Sequence, residues 1–324
     1  MKDLYARLEK AGFERSFVVD NCLPDWWDDE LAEIPANRSI AEIAISRHFG
    51  CDIADLRDSS KELRLRDLSP ARMKQNSNVL LKDVAPGRFV AERTIALLTK
   101  YIHSTQSFTG YKDANQVRDS ILKSTPRVTL EALLKWCWEN GVIVVKLGRF
   151  PNGSKKFDGM AMFYDDRPVI ILGSARKSPA WLVFHLAHEL GHIMHGHVRA
   201  GEKSIVDGEI ATSGSDPCEQ EADAFATKLL TGQPSVSNLI TQKSASDLAS
   251  FAWAVGERLA ISPGVVALFY AHSRGQKSWG TANQALALLD EHEGAHELIS
   301  AALDAHIDYE DMPESTARFL SVLH

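Results

Sequence analysis

Two stretches of the chain, His188-Glu189-Leu190-Gly191-His192 and His292-Glu293-Gly294-Ala295-His296, carry the spacing His-Glu-x-x-His. An α-helix turns every 3.6 residues, so imidazoles four apart leave the same face and can share one divalent cation. A glutamate beside the first histidine then stands next to that cation. There it can take a proton from bound water, whose pKa the cation lowers to about 7. Hydrolytic zinc further requires a third protein ligand and one open position. A histidine ten residues after the first would supply the ligand, but Val198 stands there. The other source is an acid on a following helix. In "EQEAD", Glu219 and Asp223 are four apart and share a face, whereas Glu221 points elsewhere. Glu219 is therefore expected on the metal, and Asp223 is placed to accept the second N–H of a ligand histidine. Two other readings stand beside this one: Glu219 closing a capping box on Asp216, and Glu221 as the ligand. Zinc suits the donor set, and manganese is also accepted by imidazole and carboxylate.

The second match has poorer surroundings. Asp290, Glu291, Glu297 and Asp304 make it a charged stretch, read as a solvated helix, and no Glu-x-x-x-Asp pair follows it. The first match is the expected site. His185 and His195 extend its stripe at helical spacing and are candidates for donating to an oxyanion, against the plainer reading of core or rim histidines. Tyr164 is a further donor candidate. The strand "MAMFY" (160–164) would offer a substrate peptide an exposed edge, against its reading as an ordinary hairpin strand.

These residues need elements to hold them. "GVIVVKL" (141–147), "MAMFY" and "PVIIL" (168–172) read as strands, with a turn at "PNGS" (151–154). Ser178 and Pro179 open an apolar helix to about residue 196, and Asp216-Pro217 opens the next. Between them lies a polar loop, 198–216. Upstream, helical patterns occupy 89–103, 113–123 and 129–140, and "SPARMKQNSNVLLKDVAPGR" (69–88) reads as a linker. Residues after Pro234 read as helices. Trp26, Trp27, Trp136 and Trp138 are expected to pack inside.

The chain's 324 residues allow two or three domains. Its net charge of −7 gives no global field for attracting nucleic acid or anionic membrane. No apolar run is long enough to cross a bilayer. Four scattered cysteines form no C-x-x-C pair, and the charged start "MKDLYARLEK" lacks a secretory pattern, so a reducing cytoplasm is expected.

"FHLAHELGHIMH", preceded by "DGMAMFYDDRPVIIL" and followed by "EQEADAFATKLL", resembles the ImmA/IrrE family of bacterial and phage metallopeptidases over about residues 125–232. The resemblance implies a compact zincin, with a small twisted sheet over the active-site helix and a glutamate from a second helix. It implies zinc ligands at His188, His192 and Glu219 and a general base at Glu189. It also implies a substrate class, since such proteins are known for cutting helix-turn-helix repressors in stress or mobile-element responses. Two positions depart from the family pattern: Leu230-Thr231-Gly232, where Leu-Met-Pro is usual, and His185, where a small or hydroxyl residue is usual.

"ISRHFGCDIADL" (45–56) has the outline of a helix-turn-helix. Its second half carries Asp52, Asp55 and Asp58 against Arg57 alone, which argues against binding phosphate. The expected architecture is α+β: a helical region docking a partner (1–80), a zincin-like metallopeptidase domain (88–234) and a helical extension (235–324). The expected activity is zinc-dependent cleavage of a cytoplasmic protein, plausibly a transcriptional repressor. The rival is a DNA- or protein-binding regulator, antitoxin-like, with a vestigial peptidase domain.

Overall fold

The computed structural model describes the chain except for residues 62, 64–70, 75–80, 104–105, 200–215, 235–243, 292 and 324. In chain order, α1 (Lys2–Lys10), α2 (Arg15–Cys22), α3 (Pro35–Phe49) and α4 (Ile53–Arg57) lead to a short strand, β1 (Ala71–Lys74). Then come α5 (Leu81–Leu98), α6 (Ala114–Leu122) and α7 (Leu130–Glu139). Strands β2 (Ile143–Lys146), β3 (Gly159–Tyr164) and β4 (Arg167–Leu172) precede α8 (Pro179–Met194) and α9 (Pro217–Thr231). The chain continues with α10 (Ala245–Leu259), α11 (Pro263–Arg274), α12 (Trp279–Leu288), α13 (Ala295–Asp304) and α14 (Glu314–Leu320).

The expected α+β class holds, with helices dominating and one small sheet. Its order is β1-β3-β4-β2. β3 and β4 form a hairpin whose two turn residues, Asp165 and Asp166, have φ of 46° and 63°. A tight two-residue hairpin turn needs such left-handed backbone, and aspartate tolerates it. β2 joins β4 in parallel, with Ile143 opposite Val169. The 69–88 stretch does more than link: Ala71–Lys74 pairs antiparallel with β3, and α5 begins at Leu81.

Alternation along the strands assigns every side chain a face, and both faces are buried. Val144, Ala161, Phe163, Ile170 and Leu172 join α6–α12 in one core. Ile143, Val145, Met160, Met162, Val169 and Ile171 join the other. A sheet covered on both sides needs apolar residues at every position, which is why these strands read as unbroken apolar runs. The second core unites the N-terminal helices with Leu303, Phe319 and Leu320 of α13 and α14. The first and last helices of the chain therefore meet behind the sheet, with α1–α4 sharing this core with α13 and α14.

α3 and α4 meet at Gly50, whose φ is 63°. α4 is five residues long, and Arg57 at its end is held by the buried Glu42 at 2.6 Å, with Arg38 on the same carboxylate at 2.9 Å. Arg7 donates to the carbonyls of Asp55 and Leu56 at α4. Trp27, Trp136 and Trp138 are buried as expected, but Trp26 is 50% exposed: Trp27 takes the inward position next to it. No single helix among the described residues is long and apolar enough to cross a membrane.

His48 is fully buried and stacks on Phe319 at 4.8 Å, which ties α3 to α14. Burial pushes its imidazole down to about 4. An unfolded chain, with histidine near 6.5, takes up that proton first, so this contribution to stability is intact above about pH 6.5 and is lost as pH falls towards 4. In urea unfolding between pH 7 and 4.5, the wild-type midpoint should fall more steeply with acid than that of His48→Leu; parallel slopes would contradict this.

Candidate metal centre

α8 is apolar nearly all round because it lies between the sheet and α9. Its Leu182, Leu186, Ala187, Leu190 and Ile193 are fully buried in the front core with Ala161 and Ile170 of the strands. Helix contact with α9 is close at Gly191, where an added Cβ would lie 3.0 Å from the Ala222 Cα and 3.2 Å from the Phe225 Cβ. The glycine inside His-Glu-x-Gly-His thus brings α9 in to where its first turn reaches the two histidines. Asp216 caps α9, accepting from the Cys218 amide at 2.9 Å, and the carboxylate of Glu219 turns to the imidazoles.

The result is a triangle. His188 Nε2 and His192 Nε2 are 3.2 Å apart, and the Glu219 carboxylate faces both, Oε2 at 3.3 Å from His188 and Oε1 at 3.3 Å from His192. Zinc bonds of 2.0–2.1 Å in a tetrahedron separate neighbouring ligand atoms by roughly 3.3–3.4 Å. The donors are of the right kinds and at the right separations to hold such an ion. Electrostatics agree. Burial would raise the Glu219 carboxyl, but hydrogen bonds and charge from His188 and His192 overcome it and hold the group well below the usual carboxylate range. Burial, above all, lowers His192, although Glu219 pulls the other way.

The opposite ring nitrogens face away from the triangle. His188 Nδ1 lies 2.8 Å from Asp223 Oδ1, the contact expected for that residue. His192 Nδ1 lies 3.0 Å from His197 Nδ1, whose Nε2 is 2.8 Å from Glu221 Oε2. Sequence reasoning missed this second arm. Glu221 does point away from Glu219's face, but towards His197. The signal was Gly196, with φ of 71°. It ends α8 in a Schellman turn, with Gly196 N–H on Ile193 O and His197 N–H on His192 O, both 2.9 Å, and so folds His197 back beside His192.

Glu189 is buried, and its neighbour across the gap to the sheet is Gly159 at the start of β3. An added Cβ there would sit 2.7 Å from the Glu189 Cγ, so the strand must begin with glycine for this carboxylate to fit. His185 packs between the rings of Trp181 and Phe184. His195 is exposed at the end of α8 and stacks on His197. Tyr164 closes β3 five residues beyond Gly159, about 16 Å along an extended strand. The edge of β3 also differs from expectation, since β1 covers it, with Lys74 opposite Gly159 and Ala71 opposite Met162.

In the second His-Glu-x-x-His, Glu293 and Gly294 lie ahead of a helix rather than on it. His292 lies outside the described residues, Gly294 has φ of 93°, and α13 starts only at Ala295. His296 instead donates to the Arg176 carbonyl at 2.9 Å. Asp223 also borders an apolar cavity of about 240 Å³ walled by Trp181, Phe184, Phe269 and Trp279.

A helix with two histidines and a glutamate, a second helix bringing another glutamate, and the β3–β4 hairpin alongside are together on one segment. Residues 147–267 match Peptidase_M78, the IrrE N-terminal-like domain. The ImmA/IrrE resemblance read from the sequence is thus met by a family of metallopeptidases. The IrrE-like segment runs from the end of β2 into α11, so it takes in α10 and the start of α11 as well as the two site helices. No curated protein and no solved structure matches the chain.

The two glycines should fail differently. Gly191→Val pushes α9 outward and should abolish metal uptake measured by elemental analysis, with helical circular dichroism retained. Gly159→Ala displaces Glu189 only and should leave metal uptake near wild type. Equal metal content in both variants would contradict the assignment of Gly191 as the spacer between the helices.

Proposed function

We propose that the chain is a zinc-dependent endopeptidase of zincin-like architecture, acting on a cytoplasmic protein. The observation that carries this reading is the convergence of His188 Nε2, His192 Nε2 and the Glu219 carboxylate, with 3.2 Å between the nitrogens and 3.3 Å from each nitrogen to its nearer carboxylate oxygen. His188, His192 and Glu219 would hold the ion, and the donor chemistry admits manganese as well as zinc. When bound there, the metal supplies Lewis acidity to a water and to the scissile carbonyl.

The remaining chemistry belongs to the chain. Glu189 sits next to His188 on the same buried helix, wedged by Gly159. Its carboxylate accepts the proton of the attacking water and returns it to the departing amine, which leaves as neutral nitrogen. Asp223 fixes the His188 ring, so that Nε2 keeps its lone pair facing inward.

The substrate is proposed on the family resemblance: a helix-turn-helix repressor, cut in a stress or mobile-element response. The helices behind the sheet, α1–α4 with α14, would recruit it. Direct DNA binding is not part of this reading, because α4 is a turn and a half long and its Arg57 is engaged by Glu42.

The decisive variant is Glu189→Gln. It should retain one equivalent of zinc and lose cleavage of a co-expressed repressor by at least the 10²–10⁴-fold that a general base contributes. Full retention of cellular function by this variant would favour the rival, a binding protein with a vestigial peptidase site.

A further inference from the structure

We infer that His197 and Glu221 form a positioning pair for His192, a second support matching the one Asp223 gives His188. The inference rests on the proposed metal site and extends it to two residues outside it.

Proton bookkeeping fixes how the pair must work. If Nε2 of His192 gives its lone pair to a cation, the ring's only N–H is at Nδ1. That N–H faces His197 Nδ1 at 3.0 Å, so His197 Nδ1 must accept. A neutral imidazole that accepts at Nδ1 carries its proton at Nε2. There it meets Glu221 Oε2 at 2.8 Å, which accepts. Each position in the row His192, His197, Glu221 therefore has one donor facing one acceptor, and the row ends on a carboxylate. The His188 row is shorter and ends the same way, on Asp223. Both acids come from α9, two and four residues after Glu219, so one helix supplies the inner carboxylate and both outer ones.

His195, His197 and Glu221 lie close enough together to invite a different reading, a second cation of their own. The same bookkeeping opposes it. A cation at His197 Nε2 would take the lone pair there, while Nδ1 must stay bare to accept from His192. Meeting both demands would need an imidazolate. The inner site and a second ion on His197 thus exclude each other, and the 2.8 Å contact to Glu221 is spent on the N–H.

His197 follows the turn made by Gly196 and lies outside α8, with its side chain 7% exposed, so His197→Asn, which keeps polar bulk there, stands beside His197→Ala. Zinc affinity measured by competition with a chelating dye tests the pair on the full chain. His197→Ala should weaken zinc by about 10–100-fold, the range for losing an outer support of a ligand histidine. Glu221→Gln, which keeps an acceptor but not the charge, should fall between wild type and His197→Ala. His197→Asn puts an amide oxygen near the Nδ1 position. It should recover part of the loss, and adding Glu221→Gln to it should change nothing further, because the connection to Glu221 is already gone. Wild type binding one zinc, with His197→Ala and Glu221→Gln both at wild-type affinity, would overturn the pair alone. Two zinc ions per chain, the second lost in His195→Ala, would overturn it in favour of the second cation. Wild type binding no zinc would overturn the metallopeptidase reading and the pair with it.

Discussion

The centre depends on how closely two helices can approach. His188 and His192 are fixed by one turn of α8, and no residue of that helix completes their triangle. The third corner must come from outside, and ordinary helix packing at 8–10 Å between axes leaves a short acidic side chain little reach to spare. Gly191 removes the obstruction at the contact itself, against Ala222 and Phe225. Packing and coordination chemistry thereby become one constraint: the residue that lets α9 touch α8 is also the one that sets Glu219 within 3.3 Å of both imidazoles.

The sheet stabilises this arrangement from behind. Because β2, β3 and β4 are buried on both faces, α8 rests on a layer that is itself backed by the N-terminal helices and by α13 and α14. Perturbing the rear core, for instance around His48, therefore acts on the support of the site without touching any residue in it. Glu189 lies where the two systems meet, on α8 but shaped by the first residue of β3.

What the sequence disclosed was what local geometry encodes. Residues four apart on one helix share a face, so His188 with His192 and Glu219 with Asp223 could be paired on paper, and the apolar runs marked three of the four strands. What it concealed depended on turns and on partners distant in the chain. His197 reaches His192 only through the left-handed Gly196, and Glu221 acquires meaning only once His197 is opposite. Gly294 plays the reverse part, keeping Glu293 off the helix that begins at Ala295 in a motif of the same spacing as the first. β1 escaped notice because Ala71-Arg72-Met73-Lys74 alternates over four residues only, within a polar, proline-bearing stretch; it pairs because β3 offers it an edge. Tyr164 stands at the far end of β3 from Gly159, where Glu189 sits.

That same edge has a bearing on how a peptide could lie at the centre. The rim of β3 begins at Gly159, beside Glu189, and its backbone partners along Met160–Met162 are already taken by Ala71–Lys74. An incoming chain that sought those amides and carbonyls would contend with a tethered strand, whose local concentration is on the order of millimolar for a short connection. Pairing along this edge would then be a contest between self and guest, with Ala71–Lys74 setting the threshold a guest must exceed.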